Sequence, residues 1–158
     1  MLEAGPASVI QVDKPTPDAS TTVLGFDYGA RRIGVAVGNR LSGARALEVI
    51  GNGTQGADFT RIGALLREWH PQLLLVGLPL TMDGAEQSNS RAARAFAAEL
   101  TQRFGIPAQL VDERLSSHEA AQRFAARRAS GQAKRKHAAA LDAVAAEIII
   151  ENWLTHTH

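Results

Sequence analysis

Leu73-Leu74-Leu75-Val76 sets four large apolar side chains in succession, with no polar residue alternating between them. Successive side chains of an extended strand leave opposite faces, so this run requires apolar cover on both sides. The rest of the chain must supply a sheet with helices on its faces. Phe59, Ile62, Leu66 and Trp69 recur at helical spacing, and His70-Pro71 stops that helix. Ala93, Phe96, Ala97, Leu100 and Phe104 form a second helical stripe, with Gly105 as its C-cap and Pro107 preventing continuation. Ser116 and Glu119 match a capping box that opens a third helix, running to about Arg128. A last helix is expected over roughly His137 to Leu154, with Leu141, Val144, Ala145 and Ile148 facing inward.

Four more strands accompany the Leu73 run. Val23 to Asp27 is apolar and ends at a carboxylate, Tyr28 to Arg32 turns the chain around Gly29, and Ile33 to Gly38 returns. Ala44 to Ile50 shows weaker alternation and is followed by a glycine-rich loop, Gly51 to Gly56. Ala108 to Val111 is short and reaches Asp112 and Glu113. A hairpin meander followed by crossover units predicts an α/β fold with a mixed five-stranded sheet flanked by helices.

A length of 158 residues fits one domain, and 45% hydrophobic with 21% charged residues excludes global disorder and fibrous architectures. No stretch approaches the roughly 18 apolar residues of a membrane-spanning helix. With no cysteine there are no disulfides, thiolate metal sites or cysteine nucleophiles, in keeping with a reducing cytoplasm. Residues 1–22 carry Pro6, Pro15 and Pro17 and few large apolar side chains, and are expected to form a loose extension ahead of a domain over 23–154, with 155–158 as a tail. The expectation is a single soluble cytoplasmic domain.

The net charge of +1 hides an asymmetry. Between Arg114 and Lys136 lie Arg114, Arg123, Arg127, Arg128, Lys134, Arg135 and Lys136, against Glu119 as the one acid. Such a segment either draws a polyanion to one side of the molecule or is a solvated helix face and loop.

Phosphate-binding P-loop, dinucleotide and nucleophile-elbow patterns are all missing, and the close pair His156 and His158 sits at a fraying end. What remains is carboxylates at the ends of elements. Asp27 closes an apolar strand, where a charge needs a metal, a cation or water, or else stabilises the turn. Asp112 and Glu113 end another strand and point to opposite faces; each could instead enter a helix or pair with Arg114. Asp142 lies beside the Leu141–Ala145–Ile148 stripe and either flanks the core or turns toward the strand ends. Brought together, three carboxylates repel and raise one another's pKa, which a divalent ion relieves; hard oxygen ligands favour magnesium or manganese. Two such ions can activate water and stabilise the leaving oxygen of a phosphodiester, while the basic segment holds a polyanionic substrate.

Four ordered blocks resemble the YqgF/RuvX family of Holliday-junction-resolvase-like proteins, to which pre-16S rRNA nuclease activity is also attributed. They are Phe26-Asp27-Tyr28-Gly29-Ala30-Arg31-Arg32-Ile33-Gly34-Val35-Ala36, Val76 to Gly84, Val111-Asp112-Glu113-Arg114-Leu115-Ser116-Ser117 and Leu141 to Ala146. Where the family often has a threonine pair after Asp-Glu-Arg-Leu, this chain has Ser116-Ser117. The resemblance implies an RNase H-like fold and a catalytic metal-binding set of Asp27, Glu113 and Asp142, with Asp112 as the competitor of Glu113. It also implies Mg2+ or Mn2+ cofactors, two ions in number, and a nucleic-acid substrate. Arg32 and Arg114 are then candidate phosphate contacts beside Arg127, Arg128, Lys134, Arg135 and Lys136. Asn89, Ser90 and Arg91, opening the second helix, could add donors for a phosphate. Precursor rRNA processing and cleavage of branched DNA are both compatible; the latter calls for a two-fold homodimer. A non-catalytic nucleic-acid-binding module and, through Asp27-Tyr28-Gly29, a phosphotransferase loop are the competing classes.

Overall fold

The computed structural model describes residues 20–81, 83–113 and 138–156, with the backbone alone for 138–142 and 156. The expected helix from Ser116 to Arg128, and the basic residues Arg114 to Lys136, lie outside the described residues. Six strands form one sheet in the order β4-β3-β2-β1-β5-β6. They are β1 (Val23–Tyr28), β2 (Arg32–Asn39), β3 (Gly43–Gly53), β4 (Gly56–Ala57), β5 (Leu73–Leu78) and β6 (Ala108–Asp112). β1, β2 and β3 run antiparallel, whereas β1 with β5 and β5 with β6 are parallel, so the sheet is mixed as expected.

The expected five strands are six. Gly51 to Gly53 continue β3 instead of opening a loop, and Asn52 and Gly53 pair with Ala57 and Gly56 of the two-residue β4. Glycine disfavours a strand only weakly, and backbone pairing across this tight hairpin outweighs that preference.

Among the described residues three helices flank the sheet: α1 (Phe59–Trp69), α2 (Ser88–Phe104) and α3 (Ala138–His156). Asp58 caps α1 by accepting from the Arg61 N–H at 3.0 Å. His70 closes α1 in a left-handed conformation, φ 49°, its N–H donating to Leu66 O. Gly105 closes α2 in the same way.

Strand alternation divides the core in two. Leu24, Phe26, Leu74 and Val76 join Ile62, Leu65, Phe96 and Leu100 beneath α1 and α2. Val23, Leu73, Leu75 and Val111 join Ala146, Ile149, Ile150 and Trp153 beneath α3. The fully buried β5 therefore has the two-sided cover that its composition demands. Just before β1 the Thr22 N–H donates to Gln72 Oε1 at 2.7 Å and the Gln72 N–H returns to Thr22 O.

Candidate active site

β1, β5 and β6 are parallel neighbours, so their carboxyl ends form one edge of the sheet. Crevices at such edges are where open sheets of this kind place their ligands. Asp27 sits there near the end of β1, partly buried and paired with Gly34. Alternation puts it on the same face as Val23, the face covered by α3.

Val111 packs in the cluster beneath α3, and Glu113, which follows the end of β6, lays its carboxyl near Gly77 and Ile149 on that same face. Glu113 therefore shares a face with Asp27. β1 and β6 flank β5, and two ladder spacings separate them by about 9.5 Å. The Glu113 side chain extends into this gap over Gly77 of β5: a Cβ on Gly77 would stand 2.2 Å from Glu113 Oε2 and 2.6 Å from Ile149 Cδ1.

Burial pushes the Glu113 carboxyl up to about 7, and the nearby Asp27 and Asp112 carboxylates push in the same direction. A carboxyl at that value exchanges its proton near neutrality and is readily displaced into the ionised form by a cation. The Asp112 backbone carbonyl accepts from Asn152 Nδ2 at 3.4 Å, which ties the end of β6 to α3. Among the described residues no three Asp, Glu, His or Cys side chains group closely enough to hold a metal. Asp142 lies near the start of α3, and its carboxylate is outside the described residues.

The turn after Asp27 is fixed by close approach, since Gly29 does not take the positive φ of a left-handed glycine. Its N–H donates to Arg32 O at 2.9 Å, and a Cβ there would meet that oxygen at 2.6 Å. Buried Asn52 holds the turn from β3, its Nδ2 donating to Gly29 O at 2.6 Å and its N–H to Arg31 O at 2.9 Å. Nothing in the sequence singles out Asn52, because its partner is 23 residues away.

Beyond β5 the chain turns at Asp83-Gly84, with Gly84 at φ 89°. The Thr81 hydroxyl bonds the Asp83 carboxylate and accepts from the Ala85 N–H at 3.0 Å. Ser90 is fully buried in the start of α2, donating to Pro79 O and accepting from the Gln87 N–H at 2.9 Å. It is thus a cap that anchors the loop to α2, not a spare phosphate donor. Arg32, at the start of β2, is exposed.

A family model described as "RuvX: Holliday junction resolvase" matches residues 21–156. A protein of Xanthomonas campestris pv. campestris (strain B100), named "Putative pre-16S rRNA nuclease", is 53% identical over 140 residues, 88% of this chain and 89% of that one. A protein of the same name from Xanthomonas axonopodis pv. citri is 52% identical over 134 residues, 84% of this chain and 86% of the other. Among solved structures, T. thermophilus RuvC in complex with a Holliday junction substrate superposes with a TM-score of 0.51 at 19% identity, covering 85% of this chain and 95% of that one. This likeness establishes the RNase H-like class of fold.

Proposed function

The chain belongs to the RuvX family, and on that footing we propose that it is a divalent-metal-dependent nuclease that hydrolyses phosphodiesters in precursor 16S rRNA at its 5′ end. The observation that carries this reading is the partly buried Glu113 carboxyl leaning over Gly77 toward Asp27, with a pKa raised to about 7. Two oxyanions drawn together at a sheet edge cost free energy unless a cation joins them.

The donor set fits Mg2+ or Mn2+. Asp27, Glu113 and Asp142 offer oxygen atoms alone, with no thiolate or imidazole to favour a softer metal. These three residues would hold two ions. The chemistry supplied by such ions, when bound, is activation of water and stabilisation of the leaving oxygen, without a covalent intermediate on the protein. Asp27 presents its carboxylate from a strand paired on both sides, with β2 and β5. Glu113 must release its proton to serve as a ligand, which its value near 7 permits at cytoplasmic pH. Arg32, Arg114, Arg127, Arg128, Lys134, Arg135 and Lys136 would hold the phosphate backbone.

A second reading is cleavage of branched DNA, favoured by the family description and by the fold shared with a junction-bound RuvC. It requires a two-fold homodimer so that paired cuts are related by symmetry. No helix among the described residues is long and apolar enough to cross a membrane, and the proposed site of action is the cytoplasm. The test is cleavage of a labelled precursor-rRNA fragment and a labelled four-way junction side by side, with Mg2+ or Mn2+. Symmetric paired cuts in the junction alone would displace the rRNA reading. Binding without cleavage of either would displace both in favour of a non-catalytic module.

A further inference from the structure

Gly77 is an apolar-strand residue with no chemistry of its own, yet it occupies the position between Asp27 and Glu113. It pairs with Val111 of β6 and follows Val76, the partner of Phe26 in β1. Its bare Cα lies beneath the Glu113 carboxylate on one side and the tip of Ile149 on the other. Any side chain here would enter space that Glu113 Oε2 already fills.

We propose that Gly77 is a positioning residue: its missing side chain is the slot through which Glu113 reaches across β5 to act beside Asp27. This deepens the nuclease reading and rests on it for the catalytic consequence. The steric part stands on geometry alone.

The three obstructing atoms, Glu113 Oε2 and Cδ and Ile149 Cδ1, are at the far ends of flexible side chains, not in the backbone. An alanine would therefore be accommodated chiefly by displacing the carboxylate and rotating Ile149, with the fold retained. Ordinary non-bonded contact begins at about 3.5 Å, against the 2.2 Å that a Cβ would have here. The carboxylate would have to move by roughly 1 Å, a misplacement that can lower a catalysed rate by about 100-fold.

The experiment compares the full-length wild type with Gly77→Ala, Glu113→Ala, Ile149→Val and the doubles Gly77→Ala/Glu113→Ala and Gly77→Ala/Ile149→Val. The readouts are metal-free melting temperature, Mn2+ affinity by calorimetry, and kcat and KM for cleavage. Gly77→Ala should lower kcat by roughly 10- to 100-fold and weaken Mn2+ binding, with KM little changed. Ile149→Val should not restore either. In the metal-free protein the melting temperature lost through Gly77→Ala should shrink by about 3 °C when Glu113 is also alanine, because the clash with the carboxylate is then gone and only Ile149 remains to yield.

Strictly additive melting temperatures in the Gly77–Glu113 pair would overturn the slot, whatever the activity. Full recovery of cleavage by Ile149→Val would also overturn it, assigning Gly77 to helix packing. If the wild type neither cleaves nor binds Mn2+ while Gly77 and Glu113 remain coupled in stability, the nuclease reading falls and the steric relationship survives.

Discussion

Asp27 in β1 and Glu113 just after β6 lie at strands that are not neighbours, and the Glu113 carboxyl reaches over Gly77 of the intervening β5 on the face that Asp27 shares. Three parallel strands ending together hold the two on one face, and burial, reinforced by the nearby Asp27 and Asp112 carboxylates, raises the Glu113 carboxyl to about 7.

That shift makes metal-free stability depend on pH in a definite direction. Between the ordinary value of 4.5 and about 7, folded Glu113 retains a proton that the unfolded chain has lost. Its contribution is fully present below the lower value and is lost as pH rises through the upper one. The melting temperature in a chelator should therefore decline between about pH 5 and 7, and Glu113→Gln should flatten the decline. A slope unchanged in Glu113→Gln would disprove this assignment.

Metal binding should show the complementary dependence. Because the ion must displace the Glu113 proton, Mn2+ affinity should rise with pH up to about 7 and then level off, with proton release on binding at about pH 6. Calorimetry in buffers of different ionisation enthalpy measures that release. Equal heats across buffers at that pH would contradict it.

The loop after β5 should owe its shape to Thr81. Thr81→Val removes the hydroxyl that accepts from the Ala85 N–H and bonds Asp83, a loss of about 1 kcal/mol locally. Amide exchange at Ala85 should accelerate several-fold while β5 amides stay protected. Unchanged exchange at Ala85 would show that the Asp83 carboxylate, which accepts from the same N–H at 3.1 Å, and the backbone turn suffice without Thr81.

Neutralising Lys134, Arg135 and Lys136 together should weaken nucleic-acid binding. The log–log salt slope should flatten by roughly 0.7–0.9 for each phosphate that the protein no longer neutralises. An unaltered slope would identify this segment as solvated surface.

Much of this arrangement is legible in the sequence because it rests on local rules. The Leu73 to Val76 run announces a strand covered on both faces, and the Phe59 and Ala93 stripes with their His70-Pro71 and Gly105 stops give two helices within a few residues of their observed limits. β4 is not legible, since two residues joined by backbone pairing carry no side-chain pattern. Nor can period-two alternation choose Glu113 over Asp112. It assigns them to opposite faces, and the buried Val111 shows which face is which only once α3 is in place. In the sequence Gly77 is only one residue of the Val76 to Gly84 block; its relation to Glu113 joins the ends of two strands and leaves no trace in local spacing. The Ser90 hydroxyl, a candidate phosphate donor by position, is consumed by Pro79 and Gln87.

Metal-dependent phosphodiester hydrolysis at Asp27 and Glu113 is the central claim. Its most direct test is cleavage of a labelled precursor 16S rRNA fragment by purified wild-type and Asp27→Asn protein, with Mg2+ or Mn2+ and with chelator. Cleavage by the wild type should require metal and should be abolished in Asp27→Asn. The melting temperature of metal-free Asp27→Asn should be unchanged or higher at about pH 8, because its repulsion with Glu113 is relieved. Cleavage that persists in Asp27→Asn, or in chelator, would contradict the claim.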